Sequence, residues 1–461
     1  MLSARGTAAS HRHQELTWDV MASPYCSKLN ATGFVNLGIA ENSLMQRELL
    51  EHISQNFHPE PTALSYGEGP NGSKRLRSAL ARFINTFFSP ATPILPGHIS
   101  VSSGVTGSLE RCAFELGDPG DAFLLGRPYY GAFPAEVGDR AKVRIIPVTF
   151  GKGCDPMGLA AVSAYESAIL AARSRSQRVR AILLCSPHNP LGRCYPREVL
   201  VSLMRLCQRY RLHLLVDEVY ALSVFANPRD SSRAAAAACG FTSALAIDTE
   251  GVIDPALVHV LWGLSKDFGC NGLRIGCVVS PGNPALVAAL DAHAPYRYPA
   301  AFLDYAACLV LEDEEWVAAF VAENRRRLAE NYAVVASFLE ENAVPFHEGT
   351  NAGLFVWANL GAVWLRRRRK GVGSGQNGST SNENGASRSG DDDLNVVDLE
   401  QLRAYSDINL EINERLIEEK VYLIDGDECG SESPGYFRIV FAQPMYILAT
   451  GLERIAKALE L

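Results

Sequence analysis

An α/β fold built on a mainly parallel sheet is the class this sequence predicts. Two observations carry it. Between about residues 75 and 330, helical apolar periodicity alternates with short, largely apolar runs, as it does where crossover helices join neighbouring strands. Three of those runs, Ala181 to Leu184, Leu212 to Val216 and Leu257 to Trp262, end in polar or turn residues. Strands buried on both faces lose polar/apolar alternation and read as such runs.

The elements can be justified in order. Leu76, Leu80, Phe83, Ile84 and Phe87 recur at helical spacing behind Ser73, so a helix capped by Ser73 is expected there. The three apolar runs follow as buried strands. Their polar followers then gather at the carboxyl edge of the sheet, where open α/β sheets bind ligands. Behind the first run comes Ser186-Pro-His-Asn-Pro-Leu-Gly192, behind the second Asp217-Glu-Val-Tyr220, and behind the third Gly263-Leu-Ser-Lys266, with Arg274 eight residues on. Further along, Arg366 to Lys370 is a basic run, the stretch to Gly390 is rich in Gly, Ser and Asn, and three aspartates end it at Asp393. Residues 366–393 therefore read as a disordered surface insertion.

Composition bounds the function. The chain has 461 residues, 47% hydrophobic and 20% charged, which is ordinary for a globular protein. Forty-three Lys and Arg against 51 Asp and Glu leave a net charge of −8, which disfavours nucleic acid and anionic membranes as partners. Apolar runs such as Ala256 to Leu264 are strand-length, far below the ~18 residues a membrane span requires. The first 14 residues carry Arg5 and Arg12 without an apolar core segment, so a frayed terminus is expected rather than a secretory signal. Eleven cysteines are scattered without a C-x-x-C pair, so no metal site and no disulfide framework is suggested, and a cytoplasmic location is expected.

Lysine, aspartate, asparagine, tyrosine and arginine brought to one sheet edge are the types that a pyridine aldehyde phosphate needs. Taken singly each has a plain alternative, a surface lysine for Lys266 or a helix cap for Asp217. In this order the sequence resembles the fold-type-I pyridoxal-phosphate enzymes, the aspartate aminotransferase class, and within it the 1-aminocyclopropane-1-carboxylate synthase-like branch, with a fungal character. The resemblance runs over about residues 23 to 445 and includes Ser23-Pro-Tyr25, Asn36-Leu-Gly-Ile-Ala-Glu-Asn42, Ser103-Gly-Val-Thr-Gly107, Pro128-Tyr-Tyr130, Glu323-Asn-Arg-Arg-Arg-Leu328, Asn351-Ala-Gly-Leu-Phe355 and Gly435-Tyr-Phe-Arg-Ile-Val-Phe-Ala442.

The resemblance implies pyridoxal 5'-phosphate as cofactor and a role for each matching residue. Lys266 would carry the cofactor covalently and shuttle the substrate proton. Asp217 would pair with the ring nitrogen, Asn189 and Tyr220 would bond the phenolic oxygen, and Tyr130 would stack on the ring. Val105 and Thr106 would offer backbone amides to the phosphate, with Ser265 and Arg274 adding side-chain donors. Arg438 would fork onto the substrate carboxylate, Glu41 would meet a cationic substrate group or serve only as a cap, and Tyr66 would stand in for a tyrosine reaching across to a partner subunit. His188 is expected to be positional rather than catalytic.

The architecture implied is an aspartate-aminotransferase-like large domain, about 70–304, with a seven-stranded-type sheet. A small α+β domain would combine residues 1–69 with 305–461, and the molecule would be a homodimer. Two departures bear on the reaction: Gly263 stands where a phosphate-binding Ser is usual, and Leu423-Ile-Asp-Gly-Asp427 replaces a Pro-Gly-Ser run. The expected activity is amino transfer between small amino and keto acids in specialised metabolism. Elimination of a γ- or β-leaving group, and a catalytically silent binding protein, are the alternatives.

Overall fold

The computed structural model describes residues 2–10, 15–151, 153–227, 239–373 and 399–461. Twelve strands occur among them: β1 (Val35–Asn36), β2 (Ile99–Ser103), β3 (Ala122–Gly126), β4 (Arg144–Val148), β5 (Val179–Cys185), β6 (His213–Asp217), β7 (Val258–Gly263), β8 (Ile275–Val279), β9 (Phe355–Asn359), β10 (Val421–Tyr422), β11 (Ile424–Asp425) and β12 (Tyr436–Val440). Seven form one sheet in the order β2-β8-β7-β6-β5-β3-β4. Strands β3 to β7 run parallel, and β8 is antiparallel to both of its neighbours. The three apolar runs are β5, β6 and β7, and their burial on both faces explains the lost alternation.

The Lys74–Phe87 helix begins where its pattern predicts. Ser73 Oγ accepts the Leu76 amide at 2.9 Å and donates to Asp304 at 2.7 Å. One serine thus caps its own helix and ties it to the Ala301–Glu312 helix. Leu76, Leu80, Phe83 and Ile84 are fully buried beneath the sheet, each worth roughly 1.5–3 kcal/mol of transfer free energy.

A second layer surrounds two small sheets. β11, β12 and β9 form an antiparallel sheet, with Arg438 facing Trp357 and Ile424 across the ladders. β1 pairs in parallel with β10, joining Val35 to Val421, so the N-terminal segment is built into the C-terminal part of the chain. The loop expected from residue 366 onward starts differently: the Leu360–Gly373 helix continues through the basic run. The Arg366 guanidinium donates to the Ala343 carbonyl, just past the end of the Glu314–Glu341 helix. Residues 374–393 of the expected insertion lie outside the described residues. No helix among the described residues is long and apolar enough to cross a membrane.

Candidate active site

The carboxyl ends of β5, β6 and β7 converge on a cavity of about 200 Å³. Of the residues expected there, Val105, Thr106, Tyr130, Asn189, Asp217, Tyr220, Ser265, Lys266 and Arg274 all line it. Arg438 joins through Asn189, whose Oδ1 accepts its Nη1 at 2.9 Å. This bond fixes the amide of Asn189, whose nitrogen is then its remaining donor group.

Lys266 closes the bottom. It lies in the short Leu264–Asp267 helix directly after β7, and its Nζ donates to the Ala40 carbonyl at 2.6 Å. Burial lowers its pKa to about 8, with Arg438 pushing the same way and Glu41 and Asp217 opposing. An amine so placed is neutral for a much larger fraction of the time than a surface lysine, as a nucleophile requires. Asp267, the next residue, anchors the turn: its carboxylate accepts Trp262 Nε1 at 3.0 Å, Ser223 Oγ at 2.7 Å and the Leu222 amide at 3.2 Å. The loops after β6 and β7 are thereby held in register with each other.

Asp217 ends β6 fully enclosed. Its Oδ1 accepts the Val219 amide at 3.1 Å, and no ion pair to another described residue satisfies it. Burial raises its pKa to about 7, against the pull of that amide. Arg438 is the complementary case. Its Nη2 donates to the Gly38 carbonyl at 2.6 Å, but its Nε is buried without a partner and it meets no carboxylate among the described residues. Two buried groups of opposite charge therefore await counterparts in the same site.

Opposite Lys266, the Gly104–Leu116 helix points its N-terminus into the cavity. The first amides of a helix have no intrahelical acceptor and carry the positive end of its dipole, which suits an anion. Close approach depends on glycine. A Cβ on Gly276 would lie 2.5 Å from the Val105 nitrogen, and one on Gly104 would collide with the Arg274 guanidinium. Gly263, opposite Gly276 in the ladder, has the same cause: its Cβ would lie 2.5 Å from the Ile275 carbonyl oxygen. The glycine at 263 therefore reflects packing under the helix end, and the serine donor missing from that position has no room here.

Three residues escaped the sequence reading. Glu136 lines the cavity and accepts Thr106 Oγ1 at 2.7 Å. Asn271 lines it too and donates to Glu41 Oε1 at 2.6 Å, which brings Glu41 to the rim. Asp267 braces the lysine turn. His188 is buried, with its pKa held down to about 3 by burial, and does not line the cavity. Tyr66 is not brought to the site: it is 86% exposed and lines a separate cavity of about 500 Å³ with Tyr298 and Tyr305.

A lysine, a buried aspartate and an anion-binding helix end around one cavity, on this sheet order, define a cofactor-dependent enzyme of the aminotransferase class. Residues 32–455 match the family model "Aminotransferase class I and II", and the chain belongs to that family, whose members depend on pyridoxal phosphate. It is similar to the probable aminotransferase gliI of Aspergillus fumigatus, 31% identical over 93% of this chain and 90% of the relative. It is also similar to 1-aminocyclopropane-1-carboxylate synthase 4 of Oryza sativa subsp. japonica, 32% identical over 95% of this chain and 84% of the relative. Among solved structures, aspartate aminotransferase from Thermus thermophilus with maleate superposes with a TM-score of 0.70 at 20% identity, covering 99% of both chains, a likeness of fold.

Proposed function

We propose that this chain holds pyridoxal 5'-phosphate in the 200 Å³ cavity and transfers an amino group from an amino acid to a keto acid, as an aminotransferase of specialised metabolism. The carrying observation is the pair of unmatched buried charges. Asp217 suits a protonated ring nitrogen, and Arg438 suits a substrate carboxylate, which a guanidinium fork grips in two parallel bonds. The residues fit the cofactor on this chain's own packing, because the glycines at 104, 263 and 276 let Arg274, the helix end and the β7–β8 ladder pack closely enough to present Val105, Thr106 and Arg274 to the cavity.

When bound, the cofactor supplies an electron sink for the substrate α-carbon. The chain does the rest. Lys266 Nζ holds the cofactor and then takes and returns the α-proton. Asp217 keeps the ring nitrogen protonated, Asn189 and Tyr220 donate toward the phenolic oxygen, and Tyr130 covers the ring face. Val105 and Thr106 amides, Ser265 and Arg274 hold the phosphate. Residues 70–304 form the cofactor-bearing domain, residues 1–69 and 305–461 the small one, and two copies form the working dimer in the cytoplasm.

An absorbance scan of the purified holoenzyme tests this, with single amino acids and S-adenosylmethionine added in turn and no keto acid present. Amino transfer predicts conversion of the cofactor spectrum to that of pyridoxamine phosphate with a donor amino acid. Glu41, held at the rim by Asn271, favours a second reading in which a cationic group is expelled. That reading requires the spectrum to persist while a keto acid with ammonia, a thiol or methylthioadenosine is released.

A further inference from the structure

Glu136 is a carboxyl group where a phosphate-binding cavity should have none. It lies on the short Phe133–Gly138 helix and lines the same cavity as Thr106, Lys266 and Arg274. Its one side-chain hydrogen bond among the described residues is the 2.7 Å contact from Thr106 Oγ1, and no described arginine or lysine forms an ion pair with it. Thr106 is also the residue whose amide opens the anion-binding helix end. An ionised Glu136 would therefore oppose a bound phosphate twice. Its charge would repel the anion, and it would consume the only proton of the Thr106 hydroxyl.

A neutral acid removes both conflicts. The Glu136 carboxyl would then donate its proton to Thr106 Oγ1, and the threonine hydroxyl would turn its own proton toward a phosphate oxygen. We propose that Glu136 is a positioning residue of the phosphate pocket that acts through Thr106 as a neutral acid, so that binding a phosphate group there takes up a proton. The inference rests on the cofactor reading above and assigns that cavity a residue the family motifs do not cover.

The surroundings agree. Burial pushes the Glu136 carboxyl above the usual range, while the Thr106 hydrogen bond, Lys266 and Arg274 pull it down. Tyr130 and Asp217 face it as well. From the Gly104–Leu116 helix packed against it, Glu110 is taken up by Arg140 at 2.8 Å and Arg297 at 3.5 Å; from β4, Arg144 is exposed. A phosphate dianion added to this group raises the Glu136 pKa further, and the affinity is greatest where the acid is already protonated.

The test uses the full-length apoenzyme and two probes, pyridoxal 5'-phosphate and pyridoxine 5'-phosphate, which lacks the aldehyde and cannot bond to Lys266. Dissociation constants of both are measured from pH 6 to 9 for the wild type, Glu136→Gln and Thr106→Val. Above the ionisation of Glu136, the wild type is expected to lose up to about tenfold more affinity per pH unit than Glu136→Gln, the limit for one linked proton. Glutamine can donate to Thr106 permanently and should keep tight binding at high pH. Thr106→Val removes the hydroxyl Glu136 acts through and leaves only its charge, so its curve should be shallower than the wild type's at lower affinity, and this decides the matter where Glu136→Gln does not fold. Parallel pH curves for the wild type and the variants overturn the inference and leave the cofactor reading standing. A wild type that binds neither probe overturns both.

Discussion

Arg438 has its two terminal nitrogens on Asn189 and Gly38 and leaves Nε without a partner. A planar cation held this way has its position fixed before any substrate arrives, so its energy goes into recognition. Arg438→Lys keeps the charge but loses the fork. Loss of one charged hydrogen bond of about 1.5–3 kcal/mol predicts a KM increase of roughly 10- to 100-fold for both amino and keto acid. The cofactor should still bind, since Lys266, Asp217 and Tyr220 keep their places and only the Arg438 bond to Asn189 is lost. Steady-state kinetics with an identified donor checks it, and an unchanged KM would remove Arg438 from substrate binding. At this scale the sequence was readable where a functional residue follows an apolar run closely, as Asp217 does at once and Lys266 four residues past Trp262. Glu136 was not readable. It stands in Pro134-Ala-Glu-Val-Gly138, which looks like any surface turn, and its partner Thr106 comes from a different helix. Only packing turns it inward.

Strands β5, β6 and β7 announced themselves because helices cover both faces of the sheet. Two-residue strands such as β1, β10 and β11 could not, because a period-2 signal needs more than one repeat. The antiparallel direction of β8 was equally hidden, since Ile275–Val279 is apolar throughout and carries no mark of direction. The loop expected from residue 366 misjudged a boundary for a related reason: Arg and Lys are good helix formers, and the Leu360–Gly373 helix extends through the basic run and into the first glycines beyond it. The element with most leverage on the site is the β7–β8 ladder beneath the helix end, where Gly263 faces Gly276. Gly276→Ala places a methyl 2.5 Å from the Val105 nitrogen, and such overpacking costs about 1–3 kcal/mol. The helix end is the part that can yield, so cofactor affinity should fall about tenfold or more. Gly97→Ala, whose Cβ meets nothing within 4 Å, is the matched control. Equal cofactor titrations for the two variants would mean that the phosphate does not rest on this helix end.

At the scale of the molecule, the site in one chain lacks a residue that the family resemblance expects from a second chain. Tyr66 is 86% exposed, and its neighbours around the second cavity include Tyr298 and the exposed end of the Pro61–Leu64 turn. A large tyrosine left in water beside a 500 Å³ recess is explained if a second copy covers it. In a two-fold dimer the contact is reciprocal, so Tyr66 of each copy would reach the other's cavity. Hybrid dimers separate this from a role within the same chain. Lys266→Ala and Tyr66→Ala chains, each impaired alone, are unfolded together, refolded and mixed in equal amounts. Where Tyr66 serves the partner's site, each hybrid carries one doubly defective site and one intact site, so random pairing restores about a quarter of wild-type activity. Where Tyr66 serves its own chain's site, every site in the mixture keeps one defect and no activity returns. A monomer at working concentration by sedimentation, still turning over substrate, would end the dimer reading, because no second chain would be present to complete the site.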